Sequence, residues 1–371
     1  MDFTPNDEHR MLADSARKLV EQQQDFEKRR QRIRTLQPVD ENLWQQFAEL
    51  GWLALPFAEE DGGLGGGSAD LMVLLEEFGR GLLDAPFIPT VVLGGGVLRR
   101  GNGEQRQQWL PALMEGRLQM ALAIEEYEQR FALENTALPA SRDGDAFVLS
   151  GSKACVLNAD QAELIAVLAR TSGVPGDAAG LSLFLVDANS DGLEVKPHRV
   201  VNGQQGAELV FNSVRVPAER LVGEADQALP VIRDVVNEGI LALGAEAMGA
   251  LTVLLNDTVE YSRTRKQFGM PIGGFQALQH RMADMFMAVE QTRSLLLAAT
   301  LKTAAGHDDA GHAVHALKAQ LGRGGRKVAQ EAVQLHGAIA MTDELSIGHY
   351  FKKLTAIDAL FGNADAHLAA M

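Results

Sequence analysis

The sequence contains very little cysteine and no long apolar run. Its single cysteine, Cys155, excludes a disulfide framework and any cysteine-based metal site, and it fits a reducing compartment. No stretch approaches the roughly 18 uninterrupted apolar residues of a membrane helix, so we expect no membrane insertion. The first residues lack the apolar run of a signal peptide, because Asp2, Asp7, Glu8 and Asp14 interrupt them. We therefore expect a cytoplasmic protein.

Basic residues are also scarce relative to acidic ones. The formal net charge is −15, which argues against binding to nucleic acid. We interpret the run of Arg29, Arg30, Arg32 and Arg34 as a solvated helix face rather than a contact patch. With 371 residues, 46% of them hydrophobic, the chain can bury a large core and should hold two or three domains.

A helix, a tight turn and a second helix are predicted around residues 261–285. Apolar residues recur every three or four positions before the turn, from Ile232 to Thr258, and again after it, from Leu278 to Leu296. Residues that stop one helix and start the next separate the two patterns: Gly269, Pro271, Gly273 and Gly274. The two helices should pack in a bundle.

The predicted turn carries three cations, Arg263, Arg265 and Lys266. Fixed positive charge beside the unpaired N–H groups of a helix N-terminus favours phosphate, so the turn is a candidate anion site. A solvated basic loop is the alternative interpretation. The residues alone leave both open.

Two segments in the last third of the chain resemble the motifs of a known family. The first comprises residues 265–269 (Arg-Lys-Gln-Phe-Gly), 271–272, 275–276, 279 and 283–285, and it resembles the signature of the acyl-CoA dehydrogenases. The second, residues 334–342, resembles the glutamine-plus-glycine motif of that family. The likeness extends over nearly the whole chain. Within the family it is strongest toward the small subunit of pimeloyl-CoA dehydrogenase and toward two-chain dehydrogenases of steroid side chains.

The resemblance implies FAD as the cofactor and α,β-dehydrogenation of an acyl-CoA thioester as the reaction. In the family, the arginine and the residue two positions beyond it contact the pyrophosphate and adenosine of an FAD in a neighbouring subunit. The glutamine-plus-glycine motif lies along the same cofactor. By this resemblance, the FAD-binding residues are Arg265, Gln267, Phe268, Gln334 and Gly337.

The residue patterns divide the chain into three regions. Residues 1–116 are helical in pattern, and Gly51 is placed to end a helix. The glycine-rich run 62–67 is interpreted as an inter-helix loop rather than a dinucleotide loop, because no apolar strand leads into it. Short strands are predicted at 118–124, 146–149, 164–169, 181–186 and 207–211.

The predicted fold class is an α+β multidomain, acyl-CoA-dehydrogenase-like fold. It comprises an N-terminal α-helical domain (1–116), a middle β-barrel-like domain (117–225) and a C-terminal four-helix bundle (226–371). The implied reaction needs a carboxylate that removes the α-proton while the β-hydrogen leaves as hydride to the flavin.

The catalytic base of the resembled family is missing at its usual position. Counting without gaps from Gln334 places Phe361 there, and phenylalanine cannot take a proton. Some family members carry the base on the first bundle helix, at the position of Gly239 here. Glu238 lies one residue away, about 100° around a helix, and is the candidate base. A surface glutamate on an amphipathic helix is the alternative interpretation.

Contacts to the flavin ring also depart from the family pattern. Residues 124–131 replace a Thr-Glu-Pro…Gly-Ser-Asp segment, and Cys155 and Leu157 stand where the family has an indole and a hydroxyl. Ala338 and Ala340 replace glycines that let the backbone approach the cofactor. The chain thus resembles a donor of the adenine-side half of an FAD site whose own flavin half is eroded.

We therefore predict one subunit of a flavin-dependent acyl-CoA dehydrogenase, in a dimer or tetramer with a second acyl-CoA dehydrogenase chain. A non-catalytic structural subunit, or an enzyme of this fold that performs non-redox chemistry on a CoA thioester, are the alternatives. No metal is expected. His307, His312 and His315 are interpreted as solvated histidines around a helix start that Asp308 and Asp309 cap.

Overall fold

The computed structural model describes residues 6–23, 25–35, 40–129 and 131–371. These residues fold into two compact units, and each unit combines segments that are distant in the sequence. The bundle unit comprises the described residues of Met1–Thr35, Gly67–Asp84 and Ile240–Met371. The sheet unit comprises those of Leu36–Gly66 and Ala85–Gly239.

Helices occur in both units. They are α1 (Asp7–Gln23), α2 (Phe26–Thr35), α3 (Glu41–Glu49), α4 (Ser68–Arg80), α5 (Gly95–Leu98), α6 (Gly103–Met114), α7 (Ala228–Thr264), α8 (Gln276–Ala304), α9 (Ala310–His336), α10 (Ser346–Ala359) and α11 (Ala364–Ala369). A stretch of π-helix, Ile88–Gly94, leads into α5. The boundary between the two units falls after Gly239, so α7 contributes residues to both.

The apolar faces predicted for the bundle helices are buried. On α9, the spacing of three, four and seven residues turns one face inward, and the apolar residues of that face are all buried: Ala313, Leu317, Leu321, Val328, Ala332 and Leu335. On α8, Met285, Val289 and Leu296 are buried, whereas Leu278 and Met282 are half-buried. The helix pair α7 and α8 is therefore confirmed.

Strands form two sheets in the sheet unit and one hairpin in the bundle unit. They are β1 (Met120–Ala123), β2 (Ala140–Asp143), β3 (Ala146–Leu157), β4 (Leu164–Arg170), β5 (Leu181–Asp187), β6 (Leu193–Arg199), β7 (Gln205–Pro217), β8 (Leu221–Val222), β9 (Lys266–Gln267) and β10 (Met270–Pro271). The sheets have the orders β1-β4-β5-β8 and β2-β3-β7-β6. Strand β1 pairs with β4 in parallel, and the other neighbours pair antiparallel.

One apolar core draws on both sheets. Val167 and Phe184 from the first sheet share it with Phe147, Leu209 and Val216 from the second. All five predicted strands are present, and the predicted order of helices, strands and helical bundle is confirmed. Strands β2 and β6 and the two-residue strands β8, β9 and β10 were not predicted.

The loops of the sheet unit agree with their predictions. Gly51 follows the end of α3 and has a φ of +74°, a left-handed conformation that glycine adopts readily and that ends the helix. The glycine-rich run 62–67 follows a single 3₁₀ turn, Glu59–Asp61, and leads into α4. No strand enters this run, so it is the inter-helix loop that was expected.

The arginine run on α2 is not a solvated helix face, and this prediction was wrong. Arg29 is buried, and its guanidinium lies 3.0 Å from Asp84 Oδ2 and donates to His349 Nδ1 at 2.7 Å. Arg32 also pairs with Asp84, at 3.3 Å. These partners are distant in the sequence, so the local charge pattern gave no sign of them.

Helix α7 is the one helix among the described residues that is long and apolar enough to cross a membrane. However, 78% of the most apolar 18-residue stretch of α7 is buried inside the protein. A core helix passes the same test of length and composition. Its burial therefore assigns α7 to the protein core.

Candidate functional site

The first predicted cofactor motif forms a β-hairpin between α7 and α8. Gln267 in β9 pairs with Met270 in β10, and Phe268 and Gly269 form the two-residue turn between them. Their φ angles are +54° and +82°, as a type I′ turn requires. Such a conformation strains phenylalanine, and its ring is 92% exposed. The hairpin therefore projects an aromatic ring into solvent.

The cations of this hairpin are differently engaged. Arg263 lies 3.6 Å from Glu260. Arg265 and Lys266 are both exposed, and no carboxylate in the described part of the chain forms an ion pair with either. Two adjacent cations without an internal counter-ion favour binding of an anion such as a phosphate.

The second predicted motif lies at the end of α9. Gln334 is exposed on its last turn, and Gly337 ends the helix with a φ of +73°. No heavy atom lies within 4 Å of the position that a Cβ at Gly337 would occupy, so the backbone there is open to a ligand. Of the two alanines that replace glycines, Ala338 is exposed and Ala340 is buried. Only Ala338 adds a methyl group to the surface.

Two aromatic rings that the sequence motifs did not indicate, those of Tyr261 and His336, form a contact between α7, which precedes the first predicted motif, and α9, at whose end the second lies. Tyr261, four residues before Arg265, stacks on His336 with ring centroids 4.4 Å apart. The Tyr261 hydroxyl also donates to the His336 carbonyl at 3.4 Å. His336 lies between Gln334 and Gly337 in the sequence. The ends of α7 and α9 therefore adjoin within the bundle unit, and both cofactor motifs lie at that place.

A groove of about 540 Å³ runs along α7 and α8 beside this place. Its lining combines apolar and charged side chains: Leu255, Asn256, Asp257, Val259, Glu260, Arg263, Met282 and Phe286. Burial raises the pKa of Asp257, and His336 opposes that shift. Phe286 is 54% exposed and Met287, next to it, 52%. The groove thus combines apolar side chains with charged ones, among them one carboxyl, Asp257, whose pKa burial raises.

The predicted flavin-side segment, residues 124–131, lies in the sheet unit. Glu126 is held there by Lys153, whose side chain is fully buried and whose Nζ donates to Glu126 Oε1 at 2.6 Å. The Glu126 carboxylate also accepts from the backbone N–H groups of Ala137 and Leu138. These charges are satisfied inside the unit and hold a loop. Arg130 lies outside the described residues.

The other positions that the resemblance assigns to the flavin side offer few contacts for a flavin ring. Burial raises the pKa of Glu125, against the influence of Lys153. Burial, and then Glu125, also raise the pKa of Cys155, whose φ is +46°. Leu157 is half-buried and has no polar side-chain atom. The hydroxyl and indole of the resembled pattern have no replacement of the same chemistry at these positions.

The carboxylate of Glu238 is already engaged in the sheet unit. Its Oε1 forms ion pairs with the guanidinium groups of Arg99 and Arg100, the latter at 2.9 Å. Its side chain is 21% exposed. To reach a substrate, this carboxylate has to leave two cations. The geometry therefore supports an ion-pairing role, while catalysis by Glu238 stays a prediction.

The turn that contains Phe361 offers no base either. Phe361 and Gly362 have φ angles of +57° and +102°. The nearby Asp358 carboxylate accepts from Arg326 at 2.6 Å and from the Ala364 N–H at 3.2 Å. Its hydrogen bonds thus stabilise the chain end.

The histidines near the start of α9 are not all solvated, which corrects the prediction. His315 is half-buried, and its Nδ1 lies 2.8 Å from Nδ1 of His367. Asp309 precedes the helix but makes no capping hydrogen bond, because its carboxylate pairs with Lys302. Within the described ranges, no group of three or more metal-ligating side chains is present.

An FAD fits one half of this arrangement. The bundle unit presents Arg265 and Lys266 for phosphates, an open backbone at Gly337 and the exposed Phe268 ring. At the positions that the resemblance assigns to the ring and the alternative base, the sheet unit has Cys155, Leu157 and the ion-paired Glu238. The residues present therefore fit the phosphate and adenine half of FAD and do not fit the flavin half.

Comparison with known proteins matches the chain to three domain models of one family, in sequence order. Models of the acyl-CoA dehydrogenase N-terminal, middle and C-terminal domains match residues 6–117, 122–214 and 229–371. The probable acyl-CoA dehydrogenase FadE25 of Mycobacterium tuberculosis is 31% identical over 314 residues, which cover 83% of this chain and 80% of the relative.

Solved structures resemble the whole chain. The ChsE4–ChsE5 complex from Mycobacterium tuberculosis matches with 27% identity and a TM-score of 0.90, covering 100% of this chain and 97% of that chain. Butyryl-CoA dehydrogenase from Megasphaera elsdenii matches with 25% identity and a TM-score of 0.90, covering 100% and 98%. The predicted family and fold are thereby confirmed. The chain belongs to the acyl-CoA dehydrogenase family of FAD-dependent oxidoreductases.

Proposed function

We propose that this chain is one subunit of a heteromeric FAD-dependent acyl-CoA dehydrogenase, and that it contributes the phosphate and adenine half of the cofactor site. The observation that carries the proposal is the pair of exposed cations, Arg265 and Lys266, neither of which forms an ion pair with a carboxylate in the described part of the chain. The contact between Tyr261 and His336, near the ends of α7 and α9, supports the proposal that Gln334 and Gly337 act at the same site as these cations.

The side chains of this half bind and orient the cofactor. When bound, FAD supplies the hydride acceptor for the β-hydrogen of the acyl chain. Arg265 binds a phosphate through charge-assisted hydrogen bonds, and Lys266 adds a second positive charge. Gln267 and Gln334 supply amide donors and acceptors. Phe268 offers an aromatic face, and Gly337 lets the backbone come close to the ligand.

The flavin ring contacts and the base come from the partner chain in this proposal. Leu157 cannot donate a hydrogen bond to the ring, and Phe361 cannot take a proton. The Glu238 carboxylate is shared by two guanidinium groups. This chain alone therefore lacks the groups that a catalytically complete site needs. The same observations favour a structural subunit as the second candidate.

The partner is a second acyl-CoA dehydrogenase chain. The ChsE4–ChsE5 complex, which resembles this chain over its whole length, is itself built from two different chains. The bundle unit exposes apolar side chains at Phe268, Phe286 and Met287, and exposed apolar patches mark protein interaction sites. In this proposal the substrate is an acyl-CoA thioester. The compartment is the cytoplasm, which agrees with the single cysteine of the chain.

Purification of the chain alone tests the proposal. The protein should lack the absorbance of flavin, because it holds only half of a site. Co-expression with a chain that carries the ring contacts and the base should give a larger native mass and a yellow assembly that oxidises an acyl-CoA. A chain that binds flavin tightly and turns over substrate by itself would refute the heteromeric assignment.

A further inference from the structure

A fully buried lysine holds the turn between α10 and α11. Lys318 of α9 donates from Nζ to the carbonyl groups of Ile357 at 2.8 Å, Asp358 at 2.9 Å and Gly362 at 2.6 Å. An ammonium group has three N–H donors, so these three acceptors use all of them. Two of the acceptors lie at the C-terminal end of α10, where positive charge is favourable. The third lies in the turn 360–363.

A pair of histidines, His367 of α11 and His315 of α9, holds the same turn. His367 Nε2 lies 2.8 Å from the Phe361 carbonyl oxygen, and His367 Nδ1 lies 2.8 Å from His315 Nδ1. A carbonyl only accepts, so Nε2 of His367 carries the proton. In the neutral ring its Nδ1 then accepts, and Nδ1 of His315 must donate. This arrangement needs His367 to be neutral.

The charged groups around His315 and His367 do not compensate the positive charge that protonation of either histidine would add. His312 and Lys318 lie on the same helix as His315. His312 disfavours the protonation of His315, and Lys318 disfavours that of His367. Asp358 is paired with Arg326, and Asp365 lies 3.7 Å from Arg323. Among the described residues, no carboxylate is hydrogen-bonded to His315 or His367.

We infer that Lys318, His367 and His315 form a clasp that holds the turn 360–363 closed at neutral pH and releases it in acid. Protonation of His367 at Nδ1, while His315 keeps its own Nδ1 proton, would set two N–H groups against each other across the 2.8 Å contact. Movement of the His367 ring away from this contact then takes its Nε2–H donor away from the carbonyl of Phe361, whose φ of +57° is strained. The three residues are positioning residues for this turn, and the inference does not depend on the proposed function.

The direction of the pH effect follows from the two histidines. Burial lowers the pKa of His367 to about 4 in the closed turn, and burial followed by His312 lowers the pKa of His315. In the open turn, both return toward the ordinary value of about 6.5. The open state thus binds more protons below that pH. The closed turn is most stable above about pH 6.5 and loses stability as the pH falls toward about 4.

Hydrogen exchange of the C-terminal peptide, residues 357–371, measures this opening in the full chain. For His367 alone, a pKa of about 6.5 in the open state and about 4 in the closed state corresponds to a rise in the opening constant of up to roughly 300-fold. Between pH 6.5 and 4.5, we expect the exchange rate, corrected for intrinsic chemistry, to rise by at least roughly 30-fold. A peptide from β4 and β5 reports whether the whole protein unfolds.

Three variants separate a clasp from a merely structural contact. In His367→Gln, an amide donor replaces Nε2 without the ability to titrate, so the turn should stay closed at pH 7 and lose its acid opening. His315→Ala removes one of the two titrating groups, so fewer protons should be taken up on opening. In the matched control His280→Ala, an exposed histidine on α8 is removed, and the wild-type profile should remain.

The inference fails under two outcomes. The first is a wild-type turn whose exchange does not change with pH while the β4–β5 peptide stays protected. The second is His367→Gln retaining the acid opening of the wild type. Lys318→Met should open the turn already at pH 7. Should that variant not fold, the two histidine variants still decide the question.

Discussion

The two regions in which the resemblance places cofactor contacts use their charges in opposite ways. At the ends of α7 and α9, Arg265 and Lys266 are exposed and have no carboxylate partner in the described chain. In the sheet unit, Lys153 is fully buried against Glu126, and that carboxylate also holds two backbone N–H groups. The first region is thus prepared for a ligand. The charges of the second are satisfied by its own ion pair and hydrogen bonds, which hold the loop in place.

Breaking the buried pair should give the largest effect on stability. In Lys153→Met, the cation is removed and the Glu126 carboxylate loses its partner, so the free energy of unfolding should fall by about 3–5 kcal/mol. Urea denaturation followed by circular dichroism measures this. Lys196→Met is the matched control, because Lys196 is half-exposed and only 3.5 Å from Glu194, and it should cost less than about 1 kcal/mol. Equal effects would show that the pair is not special.

Removal of the exposed cation Arg265 should leave stability unchanged and, under the proposed function, weaken cofactor binding. Arg265→Ala removes a charge-assisted contact worth about 1.5–3 kcal/mol, which corresponds to a rise in the FAD dissociation constant of roughly 10- to 150-fold. Flavin retained by the co-expressed assembly across a dilution series gives the value. Arg263→Ala is the control, since Arg263 already pairs with Glu260. Unchanged retention in Arg265→Ala would remove this residue from the cofactor site.

The smallest effect is expected at Glu238. If this carboxylate only pairs with Arg99 and Arg100, Glu238→Gln should lower turnover of the co-expressed assembly by less than about tenfold, whereas loss of a general base costs roughly 100-fold or more. Steady-state acyl-CoA oxidation distinguishes the two. A drop of the larger size, with unchanged stability, would make Glu238 the base.

Sequence patterns predicted the helices with an apolar repeat and the strands that are continuous apolar runs. The repeats of α7, α8 and α9 carry the helical periodicity, and β4 and β5 are apolar and buried at almost every position. Strand β6 was missed because it is an exposed edge strand with charged side chains and Pro197, which depart from the usual strand pattern. Strand β2 is only four residues long, and three of them are exposed.

The site was predictable only where a motif is continuous in the sequence. The hairpin 265–271 and the end of α9 are such motifs, and the resemblance indicated both. Their proximity through Tyr261 and His336, the pairing of Glu238 with Arg99 and Arg100, and the burial of Arg29 all join residues that are far apart in the sequence. No local pattern encodes such contacts, because they arise only when the helices pack.

The flavin content of the assembly formed with a partner chain tests the central claim most directly. If this chain gives only the phosphate and adenine half, each unlike pair completes one kind of site and leaves the reciprocal one incomplete. Quantitative absorbance and native mass spectrometry should therefore give one FAD per unlike pair. One tightly bound, substrate-reducible FAD per chain, or a flavin-loaded assembly of this chain alone, would contradict the account.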